Sequence, residues 1–176
     1  MFPTRIETAR LVLRKPERRD AGTIFHAYAQ DLDVTRYLLW RPHASVETTR
    51  RFIAECMAGW GATGTFPYVI TRKEDDELLG MIELRTADHR ASFGYAIGKQ
   101  HWGHGYVPEA LTRLVELALA VPAIYRIDAM CDAANTASAR ALEKAGFVRE
   151  GLLKRYMVHP NVSDEPRDSF IYAITK

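Results

Sequence analysis

The sequence predicts a mixed α/β fold, a mostly antiparallel central sheet of about seven strands flanked by helices. Three observations predict it. Runs rich in β-branched, aromatic and aliphatic residues follow one another through residues 66–97. Two stretches with helical spacing of apolar residues precede them. After them, segments of helical and strand character alternate and end in two successive strand-like runs. With 176 residues, 47% hydrophobic and 26% charged, the composition is that of one ordinary globular domain spanning residues 1–176.

Arg10 to Arg14 reads as the first strand. Residues 19–28 then open an amphipathic helix that Asp20 can cap. A second helix runs from Val46 or Glu47 to Trp60, where Phe52, Cys56 and Trp60 recur at helical spacing beside Ile53 and Met57. Residues 66–71 and 78–84 flank the charged cluster Lys73-Glu74-Asp75-Asp76-Glu77 and read as an antiparallel hairpin. Ala91 to Ile97 is the fourth strand, its bulky Phe93, Tyr95 and Ile97 alternating with Ser92, Gly94 and Ala96 and turned inward. Pro108 suits the first position of a helix whose apolar face is Leu111, Leu114, Val115 and Ala118, stopped by Pro122. Tyr125 to Cys131 is the fifth strand, and Asn135 opens a helix that Gly146 terminates. Residues 152–158 and 169–174 close the chain as strands.

Several function classes are disfavoured by composition. Lys+Arg 24 against Asp+Glu 22 leaves a net charge of +2, too slight to point to nucleic acid. Cys56 and Cys131 form no C-x-x-C, so neither a zinc site nor a redox motif is expected, and a reducing cytoplasm fits best. The first seven residues lack the apolar core of a signal peptide, and the most apolar later stretch is broken by Glu116. No membrane association is expected.

The stretch Gly94 to Ala110 carries the chemistry. A strand enters a glycine-bearing turn and a helix leaves it, so free backbone N–H groups and a positive dipole end converge on one spot. Such a spot takes an anion, most naturally phosphate, and Gly103 and Gly105 let the main chain approach it without Cβ interference. The same residues also suit a plain strand-to-helix turn. They are not a dinucleotide fingerprint, lacking the third glycine of G-x-G-x-x-G, and no Gly-Lys-Ser/Thr follows as in a nucleotide P-loop.

Taken with their order along the chain, these residues resemble the GNAT superfamily of N-acetyltransferases, in the branch typified by ribosomal-protein N-terminal acetyltransferases. The resemblance runs through Glu7 to Arg14 with Asp20, Gly94 to Ile97, Trp102 to Ala110, Asn135 to Ser138, Leu142, Lys144, Gly146, Phe147, Glu150-Gly151, Asp168 and Tyr172. The superfamily's pyrophosphate motif, Q/R-x-x-G-x-G/A, falls on Trp102 to Val107. Trp102 replaces the first polar residue, as this branch commonly shows, Val107 stands where a small residue is usual, and His104 stands where lysine is frequent.

The resemblance implies that the fourth and fifth strands splay apart and that acetyl-CoA inserts between them as acetyl donor. Tyr95, Ala96 and Ile97 would bond it through their backbone, and Trp102, Gly103, His104, Gly105, Tyr106 and Val107 would cradle its pyrophosphate. Asn135 would hold the pantetheine arm, and Ser138, or a nearby Tyr, would protonate the departing thiolate. Read without the family, Asn135 is an excellent helix N-cap and Ser138 a first-turn residue. No nucleophilic side chain is required, and no Cys/His or Ser/His/Asp arrangement suggests one.

For the base, Glu83 and Asp128 are the inward-capable strand carboxylates, each also readable as an ordinary ion-paired residue. The ribosomal-protein enzymes place a catalytic Glu on the sixth strand, near Tyr156-Met157 here, where this chain has no carboxylate. Tyr156 and His159 remain as proton carriers, each also readable, and more readily, as a surface packing residue. The expected function is acetyl-CoA-dependent N-acetylation of a primary amine by direct attack in a ternary complex, with a protein or peptide N-terminal α-amine as acceptor. The alternatives are a polyamine or aminoglycoside acceptor, or a noncatalytic acyl-CoA-binding module. No metal is expected, and the chain is read as a monomer or homodimer.

Overall fold

The computed structural model describes residues 2–176. Eight strands form one sheet: β1 (Arg5–Glu7), β2 (Leu11–Arg14), β3 (Thr65–Arg72), β4 (Leu78–Ala87), β5 (Arg90–Ile97), β6 (Arg126–Asp132), β7 (Val148–Met157) and β8 (Arg167–Thr175). Their order across the sheet is β1-β2-β3-β4-β5-β6-β8-β7, antiparallel except for β5 beside β6. The strand beyond the seven expected is β1. At three residues it is too short to show a pattern, yet Ile6 docks in the core while Arg5 and Glu7 stay exposed.

The helices are α1 (Asp20–Ile24), α2 (Leu32–Thr35), α3 (Val46–Ala58), α4 (Tyr106–Leu119) and α5 (Thr136–Lys144). α1 does not continue as an α-helix to residue 28; it passes into a π-helical turn over Phe25–Ala29. Asp20 does not cap it either. Its carboxylate is 4% exposed and accepts from Arg14 Nη1 and Nη2 at 2.8 and 2.7 Å and from the Glu17 N–H at 2.7 Å, because β2 brings Arg14 against it. α3 buries Thr49 and Ile53 and leaves Phe52 exposed, so its inward face is rotated from the one the aromatic spacing predicts. Pro108 is the third residue of α4 and not the first, because Gly105 caps the helix and Tyr106 starts it. Its missing N–H still falls in the first turn, where no helical acceptor exists.

The sheet is covered on both faces, and period-2 alternation divides its side chains between two cores. Tyr68 and Ile70 of β3 join Leu13, Leu84, Leu111, Leu114 and Ile127 beneath α4 and α5, while Val69 joins Ile24, Tyr28, Ile53 and Met81 beneath α1 and α3. The functional consequence lies at the centre. β5 pairs with β6 only over Arg90–Ser92 against Arg126–Asp128; beyond that, β5 runs on to Ile97 and β6 to Asp132 without partners on the facing edges. These are the fourth and fifth strands of the sequence count, and they splay. Among the described residues, no helix is long and apolar enough to cross a membrane.

Candidate active-site cleft

Where β5 and β6 part, a cleft of about 1020 Å³ opens through the sheet. Strand alternation sorts its lining. Phe93, Tyr95, Ile97, Ala129 and Cys131 face α4 and α5, and Glu83, Ser92, Gly94, Ala96, Asp128 and Met130 face the side of α1 and α3.

The turn between β5 and α4 forms one wall. Gly103 and Gly105 have φ of 80° and 78°, the left-handed region that only glycine enters without strain, while a Cβ at Gly105 would meet only Arg10 Nη2 at 3.6 Å. Conformation, not crowding, requires glycine here. The Trp102 indole N–H donates to the Ile97 carbonyl at 3.0 Å and fixes the turn to the end of β5. Val107 is 8% exposed, its side chain in the core, so the departure from a small residue is absorbed there. His104 lies outside the cleft lining; its ring stacks on Tyr106 at 5.7 Å and its carbonyl accepts from Arg10 Nη1 at 3.0 Å.

A brace to which sequence reading gave no role holds this turn. Glu109 accepts from Thr8 Oγ1 at 2.6 Å and from the Arg10 N–H and Nε at 2.8 and 2.7 Å, tying the β1–β2 turn to the first turn of α4. Burial pushes the Glu109 carboxyl up, but these donors more than offset it and hold it below the ordinary range. Arg10 also lies 4.8 Å over the Tyr106 ring.

On the opposite wall Asn135 caps α5, its Oδ1 accepting from the Ser138 N–H at 3.1 Å. Among the described residues its Nδ2 donor has no partner. Ser138 Oγ stands 2.7 Å from the Tyr95 phenol, which burial raises well above its ordinary value against the opposing effect of that bond. Burial likewise pushes the neighbouring Cys131 thiol up to about 11, again partly offset by the Ser138 hydroxyl.

The side toward α1–α3 holds Glu83 and Asp128, but neither is a free carboxylate. Glu83 pairs with Arg85 Nε at 2.5 Å, and Asp128 with Arg126 Nε at 2.5 Å and, more distantly, with Arg90 at 3.9 Å. Tyr37, Leu39, Trp40, Phe52 and Met157 line the rest of this half. Tyr156 is not in the cleft: it is 52% exposed, because β7 is irregular between Leu153 and Met157, with Arg155 at φ 45°, and it is Met157 that lines the cleft. His159 does reach the cleft, 3% exposed, with Nε2 3.8 Å from Asp132 Oδ2. Asp132 accepts from Arg167 Nε and Nη2 at 2.6 and 3.2 Å and from the Ala134 N–H at 2.8 Å. Burial raises its carboxyl, and Arg167, that N–H and His159 outweigh the burial and leave it below the ordinary range. Nothing in the sequence pattern marks Asp132. Among the described residues, no group of three or more His, Cys, Asp or Glu is placed to hold a metal ion.

The family model described as an acetyltransferase (GNAT) domain matches residues 10–148. An uncharacterized N-acetyltransferase of Bacillus subtilis, YoaA, is 34% identical over 179 aligned positions, covering 100% of this chain and 98% of its own. The [ribosomal protein uS5]-alanine N-acetyltransferase of Escherichia coli is 28% identical over 97% of this chain and 90% of its own. Among solved structures, the microcin C7 self-immunity acetyltransferase MccE, crystallised with acetyl-CoA and AMP, superposes with a TM-score of 0.86 at 22% identity, covering 99% and 98% of the two chains.

Proposed function

This chain belongs to the GNAT acetyltransferase family, and on that footing we propose that it transfers the acetyl group of acetyl-CoA to the free α-amine of a protein or peptide N-terminus. Acetyl-CoA-dependent transfer to an amine is the activity of the family. The coenzyme supplies an acyl group activated as a thioester. The turn from Trp102 to Val107 and the N-terminus of α4 present N–H groups and a positive dipole end to its pyrophosphate. The free edge of β5 and the Asn135 Nδ2 suit an amide-bearing arm, and Ser138, backed by Tyr95, suits proton delivery to a departing sulfur.

The acceptor reading rests on one observation: the carboxylates lining that half of the cleft, Glu83, Asp128 and Asp33, are each already paired with a basic side chain, Asp33 with Lys99. A polyamine or aminoglycoside carries several positive charges and needs uncompensated acidic groups to hold them. Glu83 is held by Arg85 and Asp128 by Arg126, so the half-cleft offers little net negative charge to a polycation. Arg85 lies over Gly94, where a Cβ would come within 3.0 Å of Nη2, and presents a donor that suits peptide carbonyls. Aromatic and aliphatic walls from Tyr37 to Trp40 suit the first side chains of a peptide that carries a single terminal cation. The similarity to a [ribosomal protein uS5]-alanine N-acetyltransferase supports a protein amine as acceptor.

The test is an acetylation screen over N-terminal peptides, N-blocked lysine peptides, polyamines and aminoglycosides. Peptides with a free N-terminus are expected to give the highest kcat/KM. Turnover confined to the small polycations would move the assignment to them.

A further inference from the structure

We propose that His159 takes the proton shed by the acceptor amine and that Asp132 is its positioning residue, an assignment that rests on the acetyl-transfer reading above. The imidazole is 97% buried yet lines the cleft, and neither ring nitrogen has a hydrogen-bond partner. Leaving such a buried group unpartnered is unfavourable. A ligand entering the cleft supplies the missing partner.

The surroundings fix the loop that carries the ring. Asn161 Nδ2 donates to the carbonyls of Thr35 and Trp40 at 2.7 and 2.8 Å, and the N–H groups of Val162 and Ser163 return to the His159 carbonyl at 2.9 and 3.0 Å. The loop after β7 is thereby tied to the segment after α2, on the acceptor side. The titratable and charged groups around the ring are Asp132 from β6, Arg167 from β8, whose guanidinium is engaged with Asp132, and Tyr37, whose ring lies 6.3 Å away and edge-on. Asp132 is 1% exposed and bound by Arg167 and the Ala134 N–H, so it stands as a fixed counter-charge for an imidazolium once one forms. The carboxyl groups that line the cleft are already engaged, Glu83 and Asp128 by arginines and Asp33 by Lys99.

The proton and electron count closes. The acceptor ammonium gives one proton to an imidazole nitrogen, and the freed lone pair forms the C–N bond at the thioester carbonyl. As the tetrahedral adduct collapses, the C–S bond breaks and its electron pair leaves on sulfur. The second nitrogen proton reaches sulfur by way of the Ser138 hydroxyl, and the imidazolium releases the first to water. Ammonium and thioester become amide, thiol and one free proton.

The test compares wild type, His159→Gln, His159→Ala and Asp132→Asn from pH 6 to 9 at saturating acetyl-CoA, on whichever amine the wild type acetylates best. For His159→Gln, kcat is expected to fall about 100-fold at pH 7, with acetyl-CoA affinity held within about twofold. The deficit should narrow above about pH 8, where an α-amine already arrives neutral. Asp132→Asn should show a smaller loss of kcat. Added imidazole should restore His159→Ala about tenfold, which a packing role would not allow. Wild-type kcat at pH 7 in His159→Gln, or a failure of imidazole to rescue a folded His159→Ala, overturns the assignment and leaves acetyl transfer standing. Wild-type turnover of small polycations alone overturns the peptide reading, with His159 then judged on those amines, and no turnover of any amine overturns both.

Discussion

Tyr95 and Ser138 bridge the splay: the phenolic oxygen on β5 stands 2.7 Å from the hydroxyl oxygen on α5. Either hydroxyl can donate in this bond, so Tyr95 can hold the Ser138 hydroxyl in place while it passes the acceptor's second proton to the departing sulfur in the proposed reaction. A thiol with an ordinary pKa of about 8.5 is a tolerable leaving group near neutrality, so a weak donor suffices.

Ser138→Ala is therefore expected to lower kcat about 10- to 100-fold with acetyl-CoA affinity nearly unchanged, because the lost interaction develops in the transition state. Tyr95→Phe should cost less. The double variant should fall short of the product of the two, a coupling of about 0.5–3 kcal/mol for groups in one network. Strict additivity in steady-state kinetics would separate the two hydroxyls, and an unchanged kcat per folded molecule in Ser138→Ala would leave Ser138 as a helix-start residue.

The β5–α4 crossover was legible in the sequence because glycines at two required backbone positions, a helix start and a strand end all fall within one short stretch. What was not legible depends on phase or on distance along the chain. A sixth-strand position near Tyr156-Met157 could be inferred, but a one-residue shift reverses the face of a strand, and the structure turns Met157 inward. Asp20 reads as a cap from local sequence alone; only the pairing of β2 with β3 in the sheet, with Arg14 opposite Val69, sets the guanidinium that captures it. Asp132, His159 and Arg167 come from three separate segments with no shared periodicity. Glu83 and Asp128 could be named as inward carboxylates, whereas their arginine partners became visible only with the fold.

The captured Asp20 gives a stability prediction. Removing one partner of a buried, bidentate pair leaves the other charge uncompensated, at a cost of about 3–5 kcal/mol. Asp20→Ala should lower the Tm by about 6–20 °C in thermal unfolding. Activity per folded molecule should be unchanged, since Asp20 lies outside the cleft lining.

At Gly105, φ of 78° makes any Cβ strained even though there is room for one. Gly105→Val is expected to lose about 1–2 kcal/mol of stability from backbone conformation alone. It should also lose coenzyme binding, because the turn must change its φ and so move its N–H groups. Wild type with acetyl-CoA at about 100 times its dissociation constant should gain ~2.7 kcal/mol, raising the Tm by about 5–10 °C. In Gly105→Val that increment should largely vanish. An undiminished increment would assign the glycine to folding only.

The Glu109 brace predicts an acid-dependent stability. Its carboxyl titrates below its ordinary value in the folded chain, so its contribution is present above the unfolded value of about 4.3 and disappears as pH falls through the folded value. Glu109→Gln should lower the Tm by about 3–6 °C at pH 7. The difference should shrink below about pH 4.5 and close near the pH at which wild-type Glu109 is protonated. Thermal scans of the two proteins from pH 7 to pH 3 decide it, and a gap that stays constant with pH would mean that the loss is one of packing.

The acceptor itself makes the last prediction. At pH 7 an α-amine with pKa near 7.7–8.0 is neutral in about a tenth to a sixth of molecules, and a lysine amine with pKa about 10.4 in roughly 0.04%. With equal binding, the difference alone favours the N-terminus by about two orders of magnitude. A strong base could erase that preference by deprotonating either amine, but the cleft carboxylates Glu83, Asp128 and Asp33 are held by Arg85, Arg126 and Lys99, and imidazole is matched to an α-amine far better than to lysine. The two acceptors should therefore differ in the shape of their pH profiles as well as in rate. For a peptide with a free N-terminus, kcat/KM should rise from pH 6 and level off near pH 8 to 9, as the amine itself becomes neutral. For the same peptide with a blocked N-terminus and an internal lysine, it should start about 100-fold lower and climb close to tenfold per pH unit through pH 9. Measurement of both profiles on one enzyme preparation separates chemistry from folding. Equal rates at pH 7, or a lysine profile that levels off with the α-amine, would show that the site lowers the lysine pKa by binding it and would move the acceptor to the side chain.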